Sequence, residues 1–372
     1  MASLIVRPVA GAADLQAFID LPWAVQGQDP NWVPPLRSEV KKILDMGHPF
    51  WQRAERQLFL AERGGRPMGR IAAIMDMAHV EYWQELAGAW GFFECENDQE
   101  AASALFEEAQ AWCMGKGLTH FRGPFNPSTN YEIGMLVQGF DVPPAIMMNY
   151  NPPWYCKLVE GAGLAKEKDL LAFEFRRGHK LPQWVLDIAN RLVDKGEVRL
   201  RHMDKKNLLS EVELMSSLYQ AAWARNWGFV PMSHAEIEAM AESLLPILDE
   251  DMAFFLYVGD DPAAVGLMLP DVSPLLKRLN GKLGMAGLVK YLLYKSEIRG
   301  VRALLFGVKP QYHQMGVPLA ALHYVLEKAE TKTRYETLEM SWNLEDNEAI
   351  NNLLLDFGGR VSKRYRLYRK DF

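Results

Sequence analysis

Mainly apolar runs at residues 58–63 and 67–75 flank Gly64-Gly65, which supplies the turn of a hairpin. The period then changes. Ala102, Leu105, Phe106, Ala109 and Cys113 recur at helical spacing behind Asp98, which predicts a capped helix of about eighteen residues. Around these, the pattern predicts strands at 3–9, 89–95, 118–122 and 169–175 and helices at 12–21, 36–46 and 154–160. A Pro- and Asn-rich loop fills 123–153. A similar order returns further on: a strand at 198–203, helices at 208–225 and 234–248, and a hairpin at 253–258 and 264–269. A strand at 301–308, a helix at 317–331, a strand at 337–342, a helix ending near 355 and a strand at 361–369 complete it. Repetition at a separation of roughly 190 residues predicts a tandem duplication.

The clearest chemistry lies in the second copy. Its strand 301–308 breaks at Pro310 into the polar turn Gln311-Tyr-His-Gln-Met-Gly316, and a helix opens at Val317. A strand feeding a glycine-bearing turn and then a helix gathers unpaired N–H groups and a positive dipole end at one point, which suits a pyrophosphate. Many such turns bind nothing, so the next segment matters. There the strand 337–342 runs into Asn343-Leu-Glu-Asp-Asn347, then a helix and Gly358-Gly359.

That order, with Val308, Pro310, Gly316 and Asn347…Gly358 at their spacing, resembles the acyl-CoA motifs of the GNAT N-acyltransferases. Ser341-Trp-Asn-Leu-Glu-Asp-Asn347, Gly91-Phe-Phe-Glu-Cys-Glu96, Gly123-Pro-Phe-Asn-Pro-Ser128 and Asn149-Tyr-Asn-Pro-Pro153 are similar to a two-domain bacterial subgroup, so the resemblance covers most of the chain. It implies an α/β fold of tandem GNAT-like units, each a mixed, mostly antiparallel sheet flanked by helices. The expected division is 1–177, a helical connector 178–197, and 198–372. It also implies acetyl-CoA or a longer acyl-CoA as co-substrate and a small-molecule amine as acceptor. Val308, Gln314, Met315, Gly316, Val317 and Asn347 are the implied cofactor residues, and Glu339 is the candidate base. Three positions depart from the family pattern, the first being His313, which stands where an arginine or glutamine is usual. Pro318 stands where a small residue with an N–H is usual, and Leu354 stands where many members place a tyrosine acid. These departures leave open a second reading, an acyl-CoA or lipid sensor without turnover; the two-domain resemblance also admits a third, aminoacyl transfer from tRNA, against which the acidic balance counts.

In the first copy, Glu94, Glu96 and Asp98 occupy the corresponding turn and would repel a pyrophosphate, so the donor is expected in copy two alone. Copy one instead offers Asn126, Ser128, Asn130, Glu132 and Tyr150 as candidate acceptor contacts. The plain alternative is that their side chains satisfy their own backbone. Asn226 and Trp227, after the second copy's first helix, are further candidates, with helix-end packing as the alternative. Glu339 reads equally as a solvent-facing strand residue.

Composition narrows the classes. The 372 residues, 49% hydrophobic and 24% charged, describe a globular chain with sizeable cores. A net charge of −6 gives no electrostatic reason to expect nucleic acid. Three cysteines without metal-ligand spacing read as reduced thiols in a cytoplasmic protein, and the histidines also lack such spacing, so no metal is expected. No apolar run is long enough to span a bilayer. Residues 270–299 combine Leu275, Leu279, Met285, Leu288, Leu292 and Leu293 with Lys277, Arg278, Lys282, Lys290 and Lys295. That segment is a packing insert, a lid over an acyl chain, or a weak membrane-surface contact.

Overall fold

The computed structural model describes residues 2–178, 181–332 and 334–372, without the side chains of 285–288 and 330. Met285 and Leu288 of the insert therefore lie outside the described side chains. The first copy runs β1 (Leu4–Pro8), α1 (Gly11–Gln26), α2 (Arg37–Leu44), β2 (Ala54–Arg63), β3 (Arg66–Asp76), α3 (Met77–Trp83), β4 (Ala87–Cys95) and α4 (Gln99–Gly115). It continues through β5 (His120–Gly123), β6 (Phe125–Asn126), β7 (Glu132–Ile133), β8 (Met135–Gln138), α5 (Trp154–Gly161) and β9 (Ala165–Arg176). After α6 (Gln183–Asp194), the second runs β10 (Arg199–His202), α7 (Leu208–Trp223), α8 (His234–Leu244), β11 (Ala253–Val258) and β12 (Asp261–Pro270). Then come α9 (Ser273–Leu279), α10 (Met285–Tyr294), β13 (Gly300–Val308), α11 (Val317–Thr331), β14 (Thr337–Leu344), α12 (Glu348–Asp356) and β15 (Arg360–Asp371). The hairpins and the long helices fall where periodicity puts them. Helix α3 was not legible, because its seven residues span too few turns to show a helical period. The loop 123–153 also contains three short strands.

Two compact units result. The first comprises Met1–Leu170, Ser273–Leu292 and Lys363–Phe372; the second comprises Leu171–Val272 and Leu293–Ser362. In the first, the sheet order is β1-β2-β3-β4-β5-β15, with β8 also on β15. The chain's last strand thus completes the sheet of the unit that begins the chain. Its Tyr368 joins the core around Trp90, Phe93, Phe106 and Phe121. Arg366 donates to the buried Asp169 at 2.8 Å, a charge-assisted bond that leaves neither group unpaired out of water. In the second unit the order is β9-β14-β13-β12-β11-β10, and α6 packs beside α11.

Each unit contains a parallel pair, β4–β5 in the first and β13–β14 in the second. In unit 2, β13 pairs with β14 only from Gly300↔Thr337 to Ala303↔Met340. The next residue, Leu304, is a bulge: Leu267 pairs with Leu305 and Met268 with Ala303, so Leu304 has no partner of its own. A bulge bends its strand, and here the bend falls where the two strands part. Unit 1 repeats the device. The β4–β5 pair ends at Ala89↔Arg122, and Ala72↔Gly91 followed by Arg70↔Glu94 places an extra residue at Phe92–Phe93.

Candidate functional site

Beyond the bulge, strand register decides where each N–H points. Lys309 N–H donates to Ala263 O at 2.9 Å, across to β12. Donors alternate sides along an antiparallel strand, so Val308 N–H points to the other edge, where β14 has already diverged. Among the described residues it has no acceptor. The Val308 carbonyl is occupied by His313, whose Nε2 lies 2.9 Å away. His313 thus ties the turn back to the strand that leads into it.

The turn itself is a short 3-10 helix, Pro310–Met315, ending in Gly316 at φ +79°. A left-handed residue is needed to redirect the chain into α11, and glycine adopts it without cost from a Cβ. A Cβ there would also lie 3.1 Å from Leu192 and 3.2 Å from Ile188 of α6. No side chain caps α11, and Gly316 and Val317 N–H find no acceptor among the described residues. Gln314 and Met315 are exposed at this point, while the Val317 side chain is buried. Lys309 and Tyr312 both bind Asp261, at 2.7 and 2.6 Å, which fixes the base of the turn on the β11–β12 hairpin. The resulting site is an uncapped helix N-terminus with a free strand N–H beside it. Those are the donors an anion and a polarised carbonyl require.

On β14, Glu339 sits one residue before pairing ends, opposite Arg302. It is buried rather than solvent-facing, and accepts a hydrogen bond from Ser341 Oγ at 2.8 Å. Arg302 Nε donates to the same hydroxyl at 3.1 Å, so carboxylate, hydroxyl and guanidinium form one buried group. Sequence alternation missed this because Glu339 lies among apolar neighbours on a strand buried on both faces. Asn347 is exposed at the start of α12, and its side chain does not cap that helix. Leu354 is fully buried.

Asn226 and Trp227 follow α7 in a half-buried turn, where Asn226 N–H donates to Trp223 O at 2.8 Å. The neighbouring Trp223 closes α7. Its ring covers Gly307, one residue before Val308, so closely that a Cβ on Gly307 would fall inside it. Tyr219 lies 5.0 Å from the Trp223 ring and 5.3 Å from Phe229, giving an aromatic wall beside the open N–H. The signal in the sequence was a glycine in a strand, which marks close approach of another group.

In unit 1 the corresponding groups are engaged. Glu96 N–H donates to Met68 O at 2.9 Å, so Cys95 N–H takes the edge that Val308 N–H takes in unit 2. Tyr155 OH accepts it at 3.0 Å and donates to Glu94 at 2.6 Å. Gln26 also donates to Glu94, at 2.7 Å, and Arg70 lies 3.6 Å from it. Burial pushes the Glu94 carboxyl up and Arg70 opposes the shift. The N-terminus of α4 is capped by Asp98, which accepts Ala101 N–H at 3.0 Å and pairs with Arg63 at 2.8 Å.

The polar loop is occupied as well. Asn126 accepts Phe92 N–H at 2.6 Å, and Ser128 is buried and accepts Asn130 N–H at 3.3 Å. Tyr150 donates to Asp29 at 3.0 Å; burial, with Asp29 adding to it, raises its hydroxyl pKa. Asn130 and Glu132 are half-buried beside them. All three cysteines are free thiols, and burial pushes Cys95 and Cys113 up to about 12. Among the described residues there is no His/Cys/Asp/Glu cluster placed to hold a metal, and no helix long and apolar enough to cross a membrane.

Known proteins agree with this architecture. No family profile matches the chain. It is 36% identical to the "Bacterial ceramide synthase" of Caulobacter vibrioides, over 99% of this chain and 98% of that one. It is 33% identical to protein YghO of Escherichia coli, over 98% and 95%. The chain belongs to the family of these two proteins. Among solved structures, it matches a tandem GNAT protein from the clavulanic acid biosynthesis pathway with a TM-score of 0.57, covering 99% of this chain and 98% of that one at 11% identity. A GCN5-related N-acetyltransferase from Sphaerobacter thermophilus matches at 0.55, with 12% identity, 99% of this chain and 95% of that one. The fold is a tandem GNAT fold, as the strand, turn and helix order implied.

Proposed function

We propose that this protein is an acyl-CoA-dependent N-acyltransferase that forms an amide on a long-chain amino alcohol, with the acyl donor held by unit 2. The carrying observation is the open pair of features there: the uncapped N-terminus of α11 and the unbonded N–H of Val308. The pyrophosphate binds the amides of Gly316 and Val317, which have no acceptor among the described residues, beside the exposed Gln314 and Met315. The Asn347 side chain, left free at the start of α12, holds the pantetheine arm. Val308 N–H polarises the thioester carbonyl as charge develops on its oxygen. The acceptor amine, held beside it, attacks the carbonyl carbon; the C–S bond breaks and CoA leaves as thiolate. Glu339 lies opposite Arg302, six residues of β13 before Val308, so it receives the ammonium proton through a chain of waters along the gap between β13 and β14. Leu354 cannot protonate the thiolate, which acquires its proton from solvent.

The acceptor class follows from relationship and chemistry. A ceramide is an amide of a long-chain amino alcohol, and the family member of that name shares 36% of its residues with this chain. Asn226 and the aromatic wall of Trp223 and Tyr219 supply an apolar flank with a polar edge for such a molecule. Incubation with palmitoyl-CoA and sphinganine should release free thiol and the N-palmitoyl amide in equal amounts, each dependent on both substrates. Tight binding of acyl-CoA without amide from any long-chain amine would make the protein a sensor instead, the reading that Leu354 and Pro318 favour.

A further inference from the structure

We infer that the α10 segment docks the protein on the surface of an anionic bilayer. The observation is a concentration of exposed aliphatic side chains on α10 and the residues just before it. Leu283 is 61% exposed, Val289 56%, Leu292 57% and Leu293 65%. Single exposed apolar residues are ordinary, whereas four in eleven positions are not. Val289, Leu292 and Leu293 stand at i, i+3 and i+4, so they share one face of α10.

The segment is held at its root. Leu275 and Leu279 of α9 are buried, Trp23 Nε1 donates to Asn280 at 2.8 Å, and Arg37 N–H donates to Gly281 O at 3.1 Å. Gly281, at φ +78°, turns the chain against the Trp23 ring, where a Cβ would collide. A rooted α9 followed by an α10 with an outward apolar face is a device for presenting that face.

Charge selects the occupant. Residues 272–296 contain Lys277, Arg278, Lys282, Lys290 and Lys295 and no Asp or Glu. This +5 lies on a chain of net −6, leaving −11 on the rest. Lys282 and Lys295 are exposed at either end of α10. Lysine is depleted at the cores of protein interfaces, so an aliphatic face ringed by cations fits lipid better than a second copy of this chain. Ten residues of helix span about 15 Å, half a hydrocarbon core, so α10 lies in the headgroup layer with its lysines reaching phosphate. This segment differs from the one proposed to hold acyl-CoA, and its docking would bring the enzyme to an amphiphilic substrate.

Co-sedimentation of the full chain with vesicles tests it without reference to activity. Vesicles of phosphatidylcholine and phosphatidylglycerol in equal parts should bind on the order of tenfold more protein than phosphatidylcholine alone, and salt should reduce the difference. Leu292→Asn with Leu293→Asn should lower binding to both, and Lys282→Glu with Lys295→Glu should remove the anionic preference. Both pairs are exposed, so melting temperature should hold. Equal binding to the two vesicle types, or unchanged binding by the leucine variant, overturns the proposal. So does a wild-type dimer that the leucine variant converts to monomer, since a second copy would then occupy the face.

Discussion

Two helix N-termini, α4 in unit 1 and α11 in unit 2, follow strands that part from their parallel neighbours in the same way. At α4 a carboxylate from the chain, Asp98, occupies the anion's place and Tyr155 fills the strand N–H beyond the bulge. At α11 no side chain fills either position among the described residues, and the turn is lengthened by the 3-10 helix Pro310–Met315. A duplicated fold thus carries two fates of one device. Unit 1 uses its helix dipole and strand donors for its own stability, and unit 2 leaves them open among the described residues.

The largest expected effect lies in unit 1. Glu94→Ala would leave buried Arg70 without its carboxylate and Tyr155 without its acceptor, and should cost about 3–5 kcal/mol in denaturant unfolding. A loss below about 1 kcal/mol would mean that Glu94 is not a structural plug. Next comes pH. His79, buried near Arg122, His120 and Glu85, has its pKa lowered to about 4, first by burial and then by Arg122. Its unfolded pKa is near 6.5, so unfolding takes up a proton as pH falls below that value. Stability is present above about 6.5 and should fall by up to about 1.4 kcal/mol per pH unit down to about 4. His79→Gln should flatten that slope; an unchanged slope would assign it elsewhere.

Smaller still, and more discriminating, is Met315→Glu. Met315 is exposed at the mouth of α11, so the added carboxylate should weaken acyl-CoA binding about tenfold or more while stability moves by less than about 0.5 kcal/mol. Gly316→Glu is the poorer probe, because positive φ and contact with Leu192 and Ile188 would also cost stability. Smallest is Asp98→Ala, expected to cost about 1 kcal/mol as a lost cap. It should create no second CoA site, since Tyr155 and Glu94 still fill the strand end.

Much of this contrast was legible from residues alone. Pro310…Gly316 against Glu94, Glu96 and Asp98 distinguished the copies, because turn chemistry and charge are local. The reason for the acidic turn was not. Repulsion of phosphate suggested an empty turn, whereas Arg70, Arg66 and Arg63, distant in sequence, neutralise it and Gln26 donates to Glu94. Asn126 and Ser128 looked like ligand contacts because a polar side chain does not announce whether it faces a cavity or a backbone N–H. The return of β15 to unit 1 was illegible for a similar reason: alternation identifies a strand but not its neighbour. Trp223 at Gly307 depended on a long-range contact whose only local trace was the glycine.

Titration calorimetry with a non-hydrolysable palmitoyl-CoA analogue tests the contrast most directly. One molecule should bind per chain, with affinity lost in Met315→Glu and retained in Asp98→Ala. Two molecules per chain, or one whose binding survives Met315→Glu and fails in Asp98→Ala, would contradict the assignment of the donor site to unit 2.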